Sequence, residues 1–271
     1  MKMDTLTHLK NVILHILLDI DNLCEKNKIK YYLAYGSALG AIRHKGFIPW
    51  DEDMDIIMDS ENYEKFIECA RKQLDSNKYY VQEGLVDWPM PFSKIKLKGT
   101  IYPEFDGYSQ SSADGIYGIY VDVFRMEKVP DNKILSRWQY ICGKYYLSYA
   151  LSVRTYNSAS LKKRILMWLS FPMKCRLIRD FIFRQVTKYN SKPNCTHYGC
   201  FYTRYKYKNS ILPMELYGTP LKVPFEGEMV PIPEKWDEYL TYIYGDYMTP
   251  PSADKQVGLH LEGMNVNFGP Y

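Results

Sequence analysis

The chain has 271 residues and a mass of 32.0 kDa, which is enough for one large domain or two small ones with a buried core. Hydrophobic residues make up 46% and charged residues 24% of it, so the composition excludes a chain that is disordered throughout. The formal net charge of +4 conceals a division, because residues 133–208 carry 16 Lys and Arg against one acid, whereas the remainder carries 19 against 30. A segment this basic indicates a region that meets an anionic partner.

The first elements follow from the spacing of apolar residues. Leucine and isoleucine recur at helical spacing over 5–27, which predicts an amphipathic helix. The next stretch, 29–35, is β-branched and aromatic, which predicts a strand. Ser37 is expected to cap a short helix that ends at Gly46. The remaining elements of this half are predicted as a strand at 53–58, a helix at 61–74 capped by Ser60, and strands at 79–82, 92–97 and 117–124.

The alternation of helices and strands predicts a mixed α/β (α+β) sheet flanked by helices. Residues 133–209 mix Tyr, Trp, Leu and Ile with Lys and Arg and are expected to be helical. The last part is rich in Pro and Gly and contains one predicted helix, 234–244. The sequence is therefore divided into a sheet-forming core over 1–132, a basic helical insertion over 133–209, and a C-terminal segment over 210–271 that is expected to complete the core.

The strongest chemical signal is the run WDEDMDI over 50–56. Alternate side chains of a strand share a face, so Asp53 and Asp55 are expected on one side and Met54 in the core. Asp51 joins them if the strand begins that early. Carboxylates crowded on one face repel each other unless a cation lies between them, and Mg²⁺ or Mn²⁺ prefers oxygen ligands. The alternative is a solvated acidic turn, which the flanking apolar residues disfavour.

Two further features extend this candidate site. Asp122 stands in the apolar strand predicted at 117–124, and a metal shared with the other carboxylates would explain it if the two strands are neighbours. The alternative is that Asp122 accepts hydrogen bonds from a nearby loop. Gly36 and Ser37 lie where a strand is expected to meet a helix, and backbone N–H groups at a helix N-terminus bind phosphate. A phosphate beside a divalent ion suits phosphoryl or nucleotidyl transfer.

The stretch 32–55, YLAYGSALGAIRHKGFIPWDEDMD, resembles the LicD family, which includes bacterial phosphocholine transferases and fukutin-type transferases. Further matches are VDVF at 121–124, VPFEG at 223–227 and YGDYMTPP at 244–251, and the resemblance is loose over 133–209. The resemblance implies a nucleotidyltransferase-like fold. The pattern of that superfamily, Gly-Ser, then Asp-x-Asp, then a later Asp, falls on Gly36 and Ser37, Asp53 and Asp55, and Asp122.

The resemblance also implies a reaction. A phospho-alcohol such as phosphocholine would move from a CDP-activated alcohol to a hydroxyl of a cell-surface glycan, a precursor of lipopolysaccharide, capsule or teichoic acid that is free or lipid-linked. Asp53, Asp55 and Asp122 are the expected catalytic residues, and together with Asp51 they are expected to hold Mg²⁺ or Mn²⁺. Asp122, directly or through the metal, is expected to help deprotonate the acceptor hydroxyl.

The residues expected to bind substrate are Gly36, Ser37, Arg43, His44, Lys94 and Lys96. Lys94 and Lys96 alternate on a predicted strand and could direct their cations at the donor phosphates, although an exposed strand face is at least as good an interpretation. His44 either donates to a phosphate or is a cation at the helix C-terminus, and the second is slightly favoured. Trp50 is expected to pack, and Glu226 matches a family position without an assigned role.

Other interpretations remain open. A small-molecule nucleotidyltransferase would share the Gly-Ser and Asp-x-Asp pattern and release pyrophosphate, but the run RHKGFIPWD over 43–51 disfavours it. A non-catalytic protein could instead use 133–209 to bind an anionic membrane surface; no nucleic acid is expected, because no binding motif appears. Without a spanning apolar run or a signal pattern, the chain is expected to be cytoplasmic, and peripheral to the inner membrane face if the basic segment docks there. A metal at Cys195, His197 and Cys200 is a minor alternative to ordinary thiols.

Overall fold

The computed structural model describes residues 2–102, 117–154, 158, 160–256, 258 and 266–271. Helices and strands alternate through the first half. Its elements are α1 Lys2–Asn27, β1 Tyr32–Leu33, α2 Tyr35–His44, β2 Asp55–Asp59, α3 Ser60–Gln73, β3 Tyr79–Gln82, β4 Ser93–Leu97 and β5 Tyr120–Val129. The second half contains α4 Lys133–Val153, α5 Leu161–Leu169, α6 Arg176–Thr187, β6 His197–Gly199, α7 Tyr207–Ser210, β7 Ile211–Pro213, β8 Leu221–Phe225, β9 Glu228–Ile232 and α8 Trp236–Tyr244, with 3₁₀ turns at Phe171–Lys174, Met214–Leu216 and Ala253–Lys255.

Within the described residues, seven strands form one mixed sheet. Its order is β1-β2-β5-β4-β3, and the far end of the long strand β5 also pairs with β6, which pairs with β7. Strands β2 and β5 run parallel, and the other pairs are antiparallel. Strands β8 and β9 form a separate hairpin. The predicted mixed α/β fold is confirmed.

The core lies between the sheet and its helices. The apolar stripe of α1 is buried, and this helix contacts α3 and strands β4 and β5. The inner residues of β2 are also buried, since Ile56, Ile57 and Met58 are at most 1% exposed. A strand that is buried on both faces is typical of parallel pairing, which explains why this stretch is continuously apolar rather than alternating.

Both ends of helix α2 differ from the sequence prediction. Helix α2 begins at Tyr35 rather than after Ser37, and no side chain caps it. The hydroxyl of Ser37 instead accepts a hydrogen bond from the backbone N–H of Asp55 at 2.9 Å, so it ties the helix to the start of β2. The helix ends at His44, where Lys45 takes the left-handed conformation (φ 54°) that was expected of Gly46.

The cap of α3 is also shifted by one residue. The side chain of Asp59, the last residue of β2, accepts a hydrogen bond from the backbone N–H of Asn62 at 2.9 Å. Ser60, the predicted cap, is already the first helical residue and is buried. Aspartate is an equally good capping residue, and the two candidates were adjacent in sequence.

The basic segment 133–209 is helical over most of its length, as predicted. Its last part differs, because β6 (His197–Gly199) lies inside the segment and pairs with β5 of the main sheet. No helix in the described ranges is both long and apolar enough to cross a membrane. All six cysteines lie in described positions and are free thiols.

Candidate active site

The candidate site forms where the parallel strands β2 and β5 begin. Asp55, the first residue of β2, is in register with Asp122 of β5. Residues in register on neighbouring strands project to the same side, so the two carboxylates share one face of the sheet. The two strands are therefore neighbours, which is the condition under which a shared metal would explain Asp122.

Asp51 and Asp53 precede the strand rather than belonging to it. They lie on the irregular segment 51–54, so the predicted start of the strand at 53 is two residues early. Burial still alternates along this segment, since Glu52 and Met54 are buried whereas Asp51 and Asp53 are half-buried. The side chains of Asp51 and Asp53 are hydrogen-bonded to each other.

The carboxylates act on each other electrostatically. The pKa of Asp55 is raised well above its ordinary value, first by burial and then by the charges of Asp53, Asp122 and Asp51. Burial, and next the charge of Asp53, raise the pKa of Asp51 to about 8. Four acidic groups therefore lie close together where β2 and β5 begin, as the sequence predicted.

Gly36 allows this cluster to lie against helix α2. A Cβ atom at position 36 would stand 2.8 Å from Oδ2 of Asp51, closer than real Cβ contacts. The N-terminus of α2 therefore directly abuts a carboxylate. Ser37, which is 5% exposed, positions β2 through its bond to the Asp55 N–H. Gly36 stays a candidate for contact with phosphate, whereas the visible role of Ser37 is to fix the start of the strand.

Lys94 and Lys96 are both buried, at 4% and 0% exposure, so the alternative of an exposed strand face is wrong. Lys94 is in register with Asp122 across the β4–β5 pair, and its Nζ lies 3.2 Å from Oδ1 of that carboxylate. The same Nζ stands 3.3 Å from the ring centroid of Tyr120, and the Nζ of Lys96 stands 5.6 Å from it. The strand thus places the Lys94 cation against the acidic cluster and Lys96 beside Tyr120.

Arg43 and His44 lie at the other end of α2. Arg43 donates from Nη1 to the carbonyl of Tyr247 at 2.8 Å and from Nε to Nε2 of His44 at 3.0 Å. Burial, followed by the charges of Arg43 and Lys10, lowers the pKa of His44. A neutral imidazole does not complement the helix dipole, so the favoured interpretation of His44 as a C-terminal cation is not supported.

Lys10 is a site residue that sequence reasoning missed. Its Nζ donates to the carbonyl oxygens of Ile48 and Pro49, both at 2.9 Å. Burial lowers its pKa, and the charge of Asp51 opposes this shift. No pattern pointed to it, because a lysine on an amphipathic helix is ordinarily a solvated charge.

Glu226 braces the turn that leads into the acidic segment. Its Oε1 accepts a hydrogen bond from the backbone N–H of Phe47 at 3.0 Å, and its own N–H donates to the carbonyl of Lys45 at 2.9 Å. A Cβ at Gly46 would collide with the same carboxylate. Trp50, further along, is half-buried against the core, as expected.

A tyrosine cluster borders the site on the side of β1. Tyr205 stacks on Tyr35 with ring centroids 5.1 Å apart, and its hydroxyl donates to that of Tyr244 at 3.2 Å. Burial raises the pKa of Tyr205 and of Tyr244, and the charge of Asp55 adds to it. The run at 244–251 signalled Tyr244, whereas Tyr205 stands in the basic segment without a motif.

The donor chemistry of this cluster fits a divalent ion. Its ligands would be carboxylate oxygens, and the repulsion that raises the pKa of Asp55 is the interaction that a cation would relieve. In the described part of the chain, however, no three His, Cys, Asp or Glu side chains are arranged so that they could hold a metal as they stand. Asp51 and Asp53 are bonded to each other and Asp122 is paired with Lys94, so ion binding would require carboxylate rotation.

The minor alternative at Cys195, His197 and Cys200 gains no support. His197 contacts Thr196, with Nδ1 2.8 Å from its hydroxyl oxygen, and Asp131, with Nδ1 3.6 Å from a carboxylate oxygen. Cys200 is buried, and its side chain is hydrogen-bonded to Tyr35.

Part of the chain matches a known domain family. Residues 28–140 match the sequence model of the LicD/FKTN/FKRP nucleotidyltransferase domain, a range that contains every predicted site residue from Gly36 to Asp122. The matched range identifies a LicD/FKTN/FKRP nucleotidyltransferase domain within this chain.

The relatives differ in how much of the chain they cover. The lipopolysaccharide cholinephosphotransferase LicD of Haemophilus influenzae is 29% identical over 269 residues, which is 97% of this chain and 98% of that relative. Uncharacterized proteins of Rickettsia prowazekii and Rickettsia typhi are each 49% identical over 41 residues, 15% of this chain. The similarity to the Haemophilus protein therefore includes the basic segment and the C-terminal part.

Proposed function

We propose that this protein is a transferase of the LicD type, which moves a phospho-alcohol, such as phosphocholine, from a CDP-activated alcohol to a hydroxyl of a cell-surface glycan. The observation that carries the proposal is the register of Asp55 with Asp122, beside Asp51, Asp53 and the N-terminus of α2. The name of the Haemophilus relative, which aligns over nearly all of both chains, supports phosphocholine and a lipopolysaccharide acceptor.

Asp51, Asp53, Asp55 and Asp122 would hold Mg²⁺ or Mn²⁺. When bound, such an ion neutralises charge on the donor diphosphate and orients it for in-line displacement. The chain's own groups would do the rest of the binding. The backbone N–H of Gly36, at the start of α2, would donate to a phosphate oxygen of the donor, and Arg43 would add a cation from the other end of that helix.

Asp122 is the proposed base. It would accept the proton of the acceptor hydroxyl as that oxygen attacks the phosphorus and CMP leaves. Lys94, 3.2 Å away, positions this carboxylate and balances its charge. Ser37 and Lys96 would act indirectly, the first by fixing the start of β2 and the second by placing a cation behind Tyr120.

The test is a donor screen. CDP-choline, CDP-ribitol and CDP-glycerol are each supplied with Mg²⁺ and a glycan acceptor, and CMP release is measured. We expect CMP from at least one donor and a loss of about a thousandfold or more in Asp55→Asn. Asp254→Asn, an exposed carboxylate outside the site, is the matched control and keeps full activity.

Two results would contradict the proposal. Release of pyrophosphate from a nucleoside triphosphate, with no CMP from any CDP-alcohol, would favour a small-molecule nucleotidyltransferase instead. Undiminished transfer by Asp55→Asn would remove that residue from the reaction.

A further inference from the structure

The exposed apolar surface of this protein is concentrated in one short segment. Nine of the twenty large apolar side chains that are exposed in the described residues fall within 161–181. Leu177 is 80% exposed, Trp168 76% and Phe171 65%. Helix α5 contains no buried residue at all, which is unusual for a helix of a folded domain. We refer to residues 161–181 as the docking segment.

Cations are interleaved with these apolar side chains. The docking segment carries six Lys and Arg and one acid, Asp180. Lys162, Lys163 and Arg164 are consecutive and exposed in the first turn of α5. Lys174 lies over the ring of Phe171, 4.7 Å from its centroid, so a cation and an aromatic ring are presented together.

The docking segment is firmly attached to the rest of the fold. Met173 is fully buried in a small second core with Tyr146 and Tyr149 of α4. Arg179 donates to the hydroxyl of Tyr149 at 3.1 Å, and the hydroxyl of Tyr145 donates to the carbonyl of Leu169 at 3.0 Å. The exposed side chains therefore project from an ordered support.

We propose that the docking segment binds the surface of a lipid bilayer that contains anionic lipids. Exposed Trp, Phe and Leu side chains beside Lys and Arg are the combination that enters the boundary between headgroups and acyl chains. The cations complement anionic headgroups, and the apolar side chains leave water.

Other occupants fit less well. In a two-fold dimer through this surface, each copy would place its net positive segment against the same segment of the other, so like charges would face each other. A nucleic acid would use the cations, but exposed Leu and Ile side chains make no favourable contact with phosphates. The apolar component therefore favours a bilayer.

Helix α4 connects the docking segment to the candidate active site. Arg154 follows directly after α4, and its guanidinium lies 5.0 Å from the ring centroid of Trp88, whereas Nζ of Lys94 lies 5.4 Å from the same centroid. Tyr149, which holds the docking segment, is five residues earlier, or about 7.5 Å along a helix. If the proposed function is right, docking would bring the site close to a lipid-linked acceptor.

Vesicle flotation tests the proposal. Full-length protein is mixed with vesicles of phosphatidylglycerol and phosphatidylcholine in equal parts, or of phosphatidylcholine alone, at about 0.1 M salt. We expect binding to the anionic vesicles. Substituting Lys162→Gln, Lys163→Gln and Arg164→Gln together should weaken it about a hundredfold, at about fivefold for each cation. The double variant Trp168→Ser and Leu177→Ser should weaken it at least tenfold by removing apolar insertion.

Matched controls distinguish binding through the docking segment from effects of removing cations or apolar side chains elsewhere on the protein. Lys26→Gln, Lys28→Gln and Lys30→Gln remove three exposed cations at the end of α1, and Val86→Ser with Met248→Ser remove two exposed apolar side chains elsewhere. Both control variants should bind within about twofold of the wild type, because substitutions at ordinary surface positions usually change a free energy by no more than about 0.5 kcal/mol. Equal losses in the controls would overturn the proposal.

Two further outcomes would also overturn it. One is failure of the wild type to bind anionic vesicles. The other is a concentration-dependent dimer that Trp168→Ser with Leu177→Ser disrupts, because a second copy would then cover the surface. The assay contains neither CDP-alcohol nor glycan, so its result is independent of the transfer reaction. Asp55→Asn, which is expected to abolish transfer, should bind vesicles like the wild type.

Discussion

At the scale of single residues, two carboxylates in the stretches that resemble the LicD family, Asp55 and Glu226, have different roles. Burial, followed by the charges of neighbouring carboxylates, raises the pKa of Asp55, whereas Glu226 accepts a backbone hydrogen bond from Phe47 at 3.0 Å. The crowding of buried carboxylates around Asp55 destabilises the folded state, and a role in the reaction would explain why it is kept. The hydrogen bond to Glu226 stabilises a turn, and its effect on the reaction is indirect, through the position of Asp51.

This difference predicts unequal effects of two substitutions at position 226. Glu226→Ala removes the acceptor of the Phe47 N–H and should lower the free energy of unfolding by about 1–2 kcal/mol. It should also lower kcat by displacing the turn before Asp51. Glu226→Gln keeps an accepting oxygen and should retain most of the stability and activity. Urea unfolding and kcat are the measurements, and a Gln variant as damaged as the Ala variant would assign the charge itself to the reaction.

The sequence predicted that the acidic residues of the candidate site lie together, but it predicted only some of their neighbours. Alternation and the apolar flanks of the 50–56 run were enough to predict that Asp53 and Asp55 share a face. Lys10 and Tyr205 were not predictable, because they come from distant parts of the chain and carry no local pattern. The burial of Lys94 depended on what packs against its face of the sheet, and the rings of Trp88 and Tyr120 lie against its Nζ.

At the scale of elements, the type of each element was more predictable than its ends. The cap of α3 shows why, since Asp59 and Ser60 are adjacent and both residue types cap helices. In the structure, the carboxylate of Asp59 accepts hydrogen bonds from the backbone N–H of Asn62 at 2.9 Å and from Nδ2 of Asn62 at 2.8 Å. Only the structure therefore decides between Asp59 and Ser60 as the cap.

A pair of alanine substitutions tests this assignment. Asp59→Ala should lower the free energy of unfolding by about 1–2 kcal/mol through loss of the cap, whereas Ser60→Ala should change it by less than about 0.5 kcal/mol. Both variants lie at the far end of β2 from Asp55, so KM and kcat should stay close to wild type. Thermal or urea unfolding gives the comparison, and a larger effect of Ser60→Ala would reverse the assignment of the cap.

At the scale of the whole molecule, the pattern predicted a mixed sheet but not its strand order. The parallel pairing of β2 with β5 joins segments more than sixty residues apart, and no local signal encodes such a contact. The charge division has a structural counterpart, because the acidic cluster lies at the start of two core strands and the densest apolar and basic surface lies on α5 and the segment after it.

The acidic cluster also predicts how the stability of the whole molecule depends on pH without metal. Folding raises the pKa of Asp51 to about 8 and that of Asp55 above its ordinary value, so the folded state binds more protons than the unfolded chain at pH values between the unfolded and folded pKa. In the presence of a chelator, this contribution to the free energy of unfolding should therefore decrease as pH rises from about 4 to about 8.

Divalent metal should reverse this loss at pH 8. An ion that binds only the folded state at about 100 times its Kd adds about 2.7 kcal/mol, which for a chain of this size raises Tm by roughly 5–10 °C. Asp55→Asn removes one charge from the repelling group, so its Tm in chelator should exceed that of the wild type, while its shift with Mg²⁺ or Mn²⁺ should be small. Scanning fluorimetry of both proteins, with and without metal, measures all four values. An identical metal shift in wild type and Asp55→Asn would place the ion elsewhere, because a carboxamide cannot replace the charge that the cluster contributes.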